Sequence, residues 1–469
     1  MRGSTLKARH LTMLGLGGVI GSGLFVGSGT GIADAGPGIL ISYAFAGGLT
    51  VLIMRMLGEL SAALPDSGSF SSYAEKAFGP WAGFTVGWLH WWTLCIAIAA
   101  ESTAASASLH AWLPAVPRWA LMTAVMALFT AVNLTAVGVF GEFEFWFAGI
   151  KVAAIVVFLA VGAVAVVGGL PGTAAPGLAH LTGDGGFLPH GWAAVATGFI
   201  AVLFGFGGME VVTVAAAESD DPAAAVAKAV RSAVWRVLVF FIGSVAVIVT
   251  LLPRGETGAD RSPFTSVLDR LGVPAAAGIM DVVVLIALLS ALNANLYTAS
   301  RMVHSLAQRG EAPRSLRPLS RRGAPCRAVL VSAGFGFVAV LLTYWWPDTV
   351  FPFLAKTIGA TMLFVWLSIA ASQIVLRRRL EADSPHLLRL RMWGFPLLSW
   401  LALAAICGAL LLMAVTPGAR GQLAATSAVV AVLLCASAAR STRVRPHAPP
   451  STTAVGMPSE TATGTRTSS

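Results

Sequence analysis

Apolar positions run along this 469-residue chain in long blocks, not in the spaced stripes of soluble amphipathic helices. Each block approaches or exceeds the roughly 20 apolar residues that carry a helix across a bilayer. Short segments rich in Arg, Asp, Pro and Gly separate them. The pattern predicts helices near 11–32, 39–62, 81–108, 119–138, 145–169, 191–216, 233–253, 274–306, 328–346, 350–376, 394–415 and 421–439. That makes an all-α integral membrane protein with twelve spans. The first block follows a basic stretch, yet it is too long for a signal peptide and continues into eleven more, so it reads as uncleaved. Residues 1–10 form an N-terminal tail, 11–439 a single membrane domain, and 440–469, a run of Ser, Thr, Pro and Ala, a disordered tail.

Composition agrees: 56% of residues are hydrophobic and 11% charged, too few polar side chains to clothe a soluble fold of this length. The net charge of +10 is unevenly spread. With the N-terminus inside, one set of loops holds Lys7, Arg9, Lys76, Lys228, Arg231, the stretch Arg309 to Arg327, Arg377, Arg378, Arg379, Arg389, Arg391 and the tail arginines; the other holds Arg118, Arg254, Arg261, Arg270 and Arg420. Cytoplasmic loops carry the basic excess, so both termini are expected inside a plasma-membrane protein, and no nucleic-acid partner is needed to explain the charge. Cys95, Cys326, Cys407 and Cys435 stand far apart and suggest neither a zinc site nor a disulfide frame.

Two spans break the apolar pattern with glycine. "LGLGGVIGSGLFVGSG", Leu14 to Gly29, has seven glycines in sixteen positions, and "LFGFGGMEVV", Leu203 to Val212, repeats the feature five helices later. A single cluster reads as close helix packing. Paired clusters at corresponding places point to a transporter of inverted repeats, here about 11–169 and 191–376, with accessory helices at about 394–439. At such breaks freed N–H groups hold a carboxylate and freed carbonyls an ammonium group, chemistry suited to an amino acid.

"GGVIGSGLFVGSG", "DAGPG", "MRMLGELSAALPDSGSFSSYAEKAFG", "FGFGGMEVVTVAAAESDDP" and "ALNANLYTASRMVHSLAQRGEAP" resemble, in order, the amino acid transporter branch of the amino acid-polyamine-organocation superfamily, and most of all the bacterial γ-aminobutyrate (GABA) permeases. The resemblance implies a LeuT-type 5+5 fold with helices 1 and 6 broken, and proton symport of an amino acid, GABA first, with proline, asparagine, basic or aromatic amino acids as alternatives and exchange as another mode. It implies a substrate site from Ile20, Gly21, Ser22 and Gly23 on the first span, Phe204, Gly205, Phe206 and Gly207 on the sixth, with Glu101 and Asn293. No cofactor or metal is expected.

Lys151, inside the fifth span, is a costly intramembrane cation; it either snorkels or works. The resemblance places its ammonium group where sodium binds in sodium-coupled relatives, which makes it the first candidate for proton coupling. Glu101 on the third span is the second, or else a neutral, hydrogen-bonded wall of the pocket. Glu210, beside the sixth-span break, reads equally as a backbone partner. Arg55 and Glu59, spaced i, i+4, read as an intrahelical pair. Ser290, Asn293 and Asn295 bring polarity to the eighth span, where Asp281 has no visible partner. On the tenth, "AKTIGA" departs from the family pattern, and Lys356 is a candidate for substrate choice. A channel would show rings of like charge, and an enzyme a nucleophile and base or metal ligands; His90, His110, His180 and His304 scatter toward loops and helix ends without such a motif.

Overall fold

A computed structural model describes residues 20–65, 69–135, 140–170, 179–183, 186–208, 222–253, 262–320 and 323–441. The helices are α1 (Ser22–Phe25), α2 (Gly27–Ala35), α3 (Ile39–Ala63), α4 (Ser69–Phe78), α5 (Pro80–Trp112), α6 (Arg118–Thr135), α7 (Phe140–Val166), α8 (Ala179–Thr182), α9 (Gly191–Phe206) and α10 (Pro222–Trp235). The last of these continues through a π-helical stretch, Arg236–Gly243, into α11 (Ser244–Leu251). Then follow α12 (Pro263–Arg270), α13 (Pro274–Gln308), α14 (Cys326–Trp345), α15 (Val350–Asp383), α16 (Leu397–Val415) and α17 (Pro417–Ser441). No strand occurs among the described residues.

Among the described residues nine segments are long and apolar enough to cross a membrane. The first of them, Ser22–Ala63, contains α1, α2 and α3, and Arg118–Leu134 and Gly191–Phe206 are apolar but shorter. Burial sorts the spans. The apolar window of α5 is 78% buried and that of α17 only 17%, so α5 runs through the centre of the protein and α17 along its rim. Rim helices turn Leu401, Leu411, Val415 and Val432 outward, which suits a hydrocarbon solvent that leaves backbone groups to be satisfied within helices. One contiguous apolar core joins α1–α3, α5, α9, α13 and α15.

Both glycine clusters interrupt their helices. α1 ends at Val26, whose φ of −121° departs from the helical value, before α2 resumes at Gly27. α9 stops at Phe206: Gly207 is extended (ψ 137°) and Gly208 has φ +91°, a conformation glycine adopts without cost. Glu210 and the rest of 209–221 lie outside the described residues.

Two amphipathic helices between spans, α4 and α12, were not legible as apolar blocks. α12 is anchored by Phe264, fully buried between Phe25 and Phe158, with ring centroids 4.9 and 4.6 Å away. His90 is also placed differently from expectation: it sits inside α5, buried edge-on against Phe70, not at a helix end.

Candidate functional site

The N-terminus of α1 presents an N–H that the helix itself cannot satisfy. Ser22 N donates to both Glu101 carboxylate oxygens, at 3.2 Å to Oε1 and 3.1 Å to Oε2. Glu101 reaches it from α5 and is 5% exposed. The approach is possible because residue 21 is glycine: a Cβ there would stand 2.7 Å from Glu101 Oε1 and 3.0 Å from the Ala291 side chain. Ile20 and Ser22 are fully buried beside it, and the Ser22 hydroxyl has no hydrogen-bond partner.

Gly23 has a different neighbour. A Cβ on it would lie 2.5 Å from the Gly205 Cα, so the two glycine clusters cross backbone to backbone, one broken helix against the other. Such contact needs residues without side chains on both helices. The carbonyls freed at the first break also find partners. Gly29 N turns to Val26 O, which leaves Phe25 O to accept from Ser262 Oγ at 2.7 Å, at the start of α12.

Lys151 is fully buried on α7, a helix whose apolar window is only 28% buried. It therefore points inward from a mostly outward-facing helix. Its ammonium group donates to Ser290 Oγ on α13 at 2.9 Å and lies within electrostatic reach of Glu101. One turn along α13, Asn293 Oδ1 accepts from Asn133 Nδ2 of α6 at 2.8 Å. Asn133 was missed from the sequence, although an amide within "FTAVNLTAV" is the same signal that marked Asn293. Asp281, further along α13, accepts from Thr265 of α12 at 2.7 Å, a partner that no helical spacing reveals.

Aromatic side chains border the helix crossing. Phe204 lies against Gly27, where a Cβ would be 3.3 Å from its ring, and its centroid is 6.2 Å from that of Phe351 on α15. Phe206 points elsewhere: it stacks on Phe241 at 4.7 Å and meets Tyr43, so it builds the joint between α3, α9 and the π-helical stretch. Gly207 borders Met362. Lys356 is apart from Glu101 and Lys151, in the wall of a cavity of about 230 Å³ with Asp34. A smaller cavity of about 30 Å³ follows Val26, Thr103 and Ala104 between α2 and α5, and the Arg118–Asp348 ion pair of 2.8 Å stands in its wall.

The structure thus brings Gly21, Ser22, Glu101, Lys151 and Ser290 together, with Asn293 one turn from Ser290 and Phe204 beside Gly27. The expected Arg55–Glu59 pair is not formed. Glu59 binds Arg377 of α15 and also accepts from Gln373 Nε2 at 2.7 Å and from the Met392 backbone N–H. Arg55 donates to Arg391 O at 3.0 Å and lies over the Trp393 ring. A tertiary partner in a buried setting outcompetes an i, i+4 neighbour worth about 0.2–0.5 kcal/mol. Among the described residues no three His, Cys, Asp or Glu side chains cluster as metal ligands.

Comparison with known proteins bears on this arrangement. The family model described as "Amino acid permease" matches residues 10–439. A γ-aminobutyric acid permease of Bacillus subtilis is 48% identical over 92% of this chain and 92% of its own. The aromatic amino acid transport protein AroP of Corynebacterium glutamicum is 46% identical over 93% and 94%. A manganese transporter of Eremococcus coleocola, 13% identical, superposes with a TM-score of 0.57 over 94% of this chain and 95% of its own. That identity speaks for the fold alone, and the fold is the LeuT-type helical architecture with its first and sixth helices broken.

Proposed function

Because the chain belongs to the amino acid permease family, and so is a multi-pass membrane carrier of amino acids and not an enzyme, we propose that it imports a zwitterionic amino acid, GABA first, by proton symport with alternating access. The observation that carries the reading is the Ser22 N–H bonded to Glu101, with Lys151 in electrostatic reach. The acidic side chain of Glu101 takes a donor at the start of α1 that suits a carboxylate. An incoming substrate carboxylate competes with an ionised Glu101 for that donor, and protonation of Glu101 weakens the competitor. Proton and substrate binding then favour each other, as symport requires.

Lys151 adds the second charge of the site. It holds α7 to α13 through Ser290, and loss or gain of its proton changes the balance of charge against Glu101. In this reading Ile20, Gly21, Ser22 and Gly23 with Gly205 and Gly207 form the broken-helix backbone of the site. Phe204 closes it from outside, and Asn293 with Asn133 forms its side wall. The arginine-rich end is cytoplasmic by the distribution of basic residues, both termini with it, in the plasma membrane.

The 46% identity to an aromatic amino acid transporter supports a second substrate reading. Uptake of labelled GABA and labelled phenylalanine into proteoliposomes, each competed with the other and with proline, lysine and asparagine, separates them. Saturable GABA uptake driven by an inward proton gradient without sodium supports the first. Phenylalanine uptake that GABA fails to inhibit supports the second, and uptake of neither contradicts both.

A further inference from the structure

The cavity of about 230 Å³ around Lys356 has no role in the scheme above. Thr30 and Asp34 of α2 form one wall, Ala201 of α9 the floor, and Pro352, Ala355 and Lys356 of α15 the other wall. Thr30 and Asp34 are spaced i, i+4, as are Pro352 and Lys356, so each polar wall is one helical turn deep. Among the described residues Asp34 and Lys356 make no hydrogen bond or ion pair, with each other or with another side chain. Opposite charges around one cavity that do not close on each other leave a gap for a molecule carrying both. The Thr30 hydroxyl donates its proton to Gly27 O at 2.8 Å, which leaves its lone pairs to accept from a ligand. Gly27 lines this cavity and lies against the Phe204 ring, which is 6.2 Å from that of Phe351, while Glu101 and Lys151 do not line it.

We propose that this cavity is an outer binding site for a zwitterionic amino acid, in which Lys356 takes the carboxylate and Asp34, with Thr30, takes the ammonium group. The proposal rests on the permease reading and adds to it a second stop on the substrate's path. A solute with only an anionic end meets Asp34 unpaired, and one with only a cationic end meets Lys356, so the site selects for both charges together before Phe204 admits the substrate.

Equilibrium binding of labelled GABA to the purified full-length protein tests it, with butyrate and butylamine as single-charge competitors. The parent should bind in two components, the weaker resisted by neither single-charge competitor. Asp34→Asn and Lys356→Gln should each remove the weaker component and raise the uptake KM about two- to fivefold, the range of a solvent-exposed charge contact. The exchanged pair Asp34→Lys with Lys356→Asp should restore the weaker component, whereas Glu101→Gln should alter the tighter one. A single component in the parent, or two components that persist in both neutral variants, would overturn the outer site and leave the permease reading standing. A parent that neither binds nor transports GABA or phenylalanine would overturn both.

Discussion

The two ends of the protein treat charge in opposite ways. At the arginine-rich end Glu59 is fully buried and receives Arg377, Gln373 and the Met392 N–H. Ser399 donates to Gln373 in turn at 2.9 Å, and Arg379 donates to Lys76 O and Ala77 O. These bonds tie α3, α4, α15, α16 and the 384–396 connection into one block. At the other end Asp34 and Lys356 face a cavity without partners among the described residues, and the Arg118–Asp348 pair is largely exposed at Asp348. One end buries its charges in a bonded network, while the other leaves Asp34 and Lys356 on a cavity wall. Under the alternating-access reading proposed above, a carrier needs one closed face and one receptive face at a time, and the paired end is the candidate for the closed one.

The largest effect should come from the closed end. Glu59→Ala or Arg377→Met leaves a buried charge without its partner and should lower stability by about 3–5 kcal/mol, read as a fall in melting temperature of the detergent-purified protein. Joint replacement by Leu and Met should recover a large part of the loss. Single variants that melt like the parent would erase the contrast between the ends.

Next comes the crossing of the broken helices. Gly23→Ala sets a Cβ against Gly205 backbone, which cannot move as a flexible side chain would, and should cut uptake about tenfold or more. Gly48→Ala, on α3 with no atom within 4 Å of the added Cβ, should leave uptake at the parent level. Equal loss in both would mean that the assay reports general glycine intolerance and not the crossing.

How much of this was legible in the sequence depends on the range of the interaction. Apolar blocks disclosed the all-helical membrane architecture, and glycine pairs disclosed both breaks, because bilayer thickness and backbone hydrogen bonding act over one segment at a time. The contact Gly23–Gly205 could be anticipated as a meeting of two marked sites. The partner of Glu59 could not: Arg377 lies 318 positions away, and the local candidate, Arg55, was the wrong one. α12 escaped because it is short and amphipathic, although it supplies Ser262 to the Phe25 carbonyl and Thr265 to Asp281. Lys356 stood out by its departure from a family pattern, whereas Asp34, in a loop-like "IADAGPG", acquires meaning only from the shared cavity.

The side wall of the site should respond more weakly. Asn133→Ala removes a donor to Asn293 and should cost about 1 kcal/mol, seen as a modest shift in melting temperature, with Asn293→Ala doing the same and the double variant adding little to either. Additive losses would show that the two amides do not act as a pair. The smallest effect belongs to the exposed Arg118–Asp348 bridge, where Arg118→Ala should change stability by about 0–1 kcal/mol; a loss as large as that of Arg377→Met would contradict the comparison of the two ends.

The central claim, that the site joins amino acid binding to a proton through Lys151 and Glu101, is tested most directly by uphill GABA uptake into sodium-free proteoliposomes with the outside acidified. The parent should accumulate GABA and lose accumulation when a protonophore collapses the gradient. Lys151→Ala should lose proton-driven accumulation yet retain some binding or exchange, because Gly21, Ser22 and the α9 break remain. If Glu101 alone carries the mobile proton, Glu101→Gln abolishes coupling and Lys151→Ala chiefly lowers the amount of folded protein. Accumulation in the parent that requires sodium, or that persists undiminished in both variants, would contradict the account.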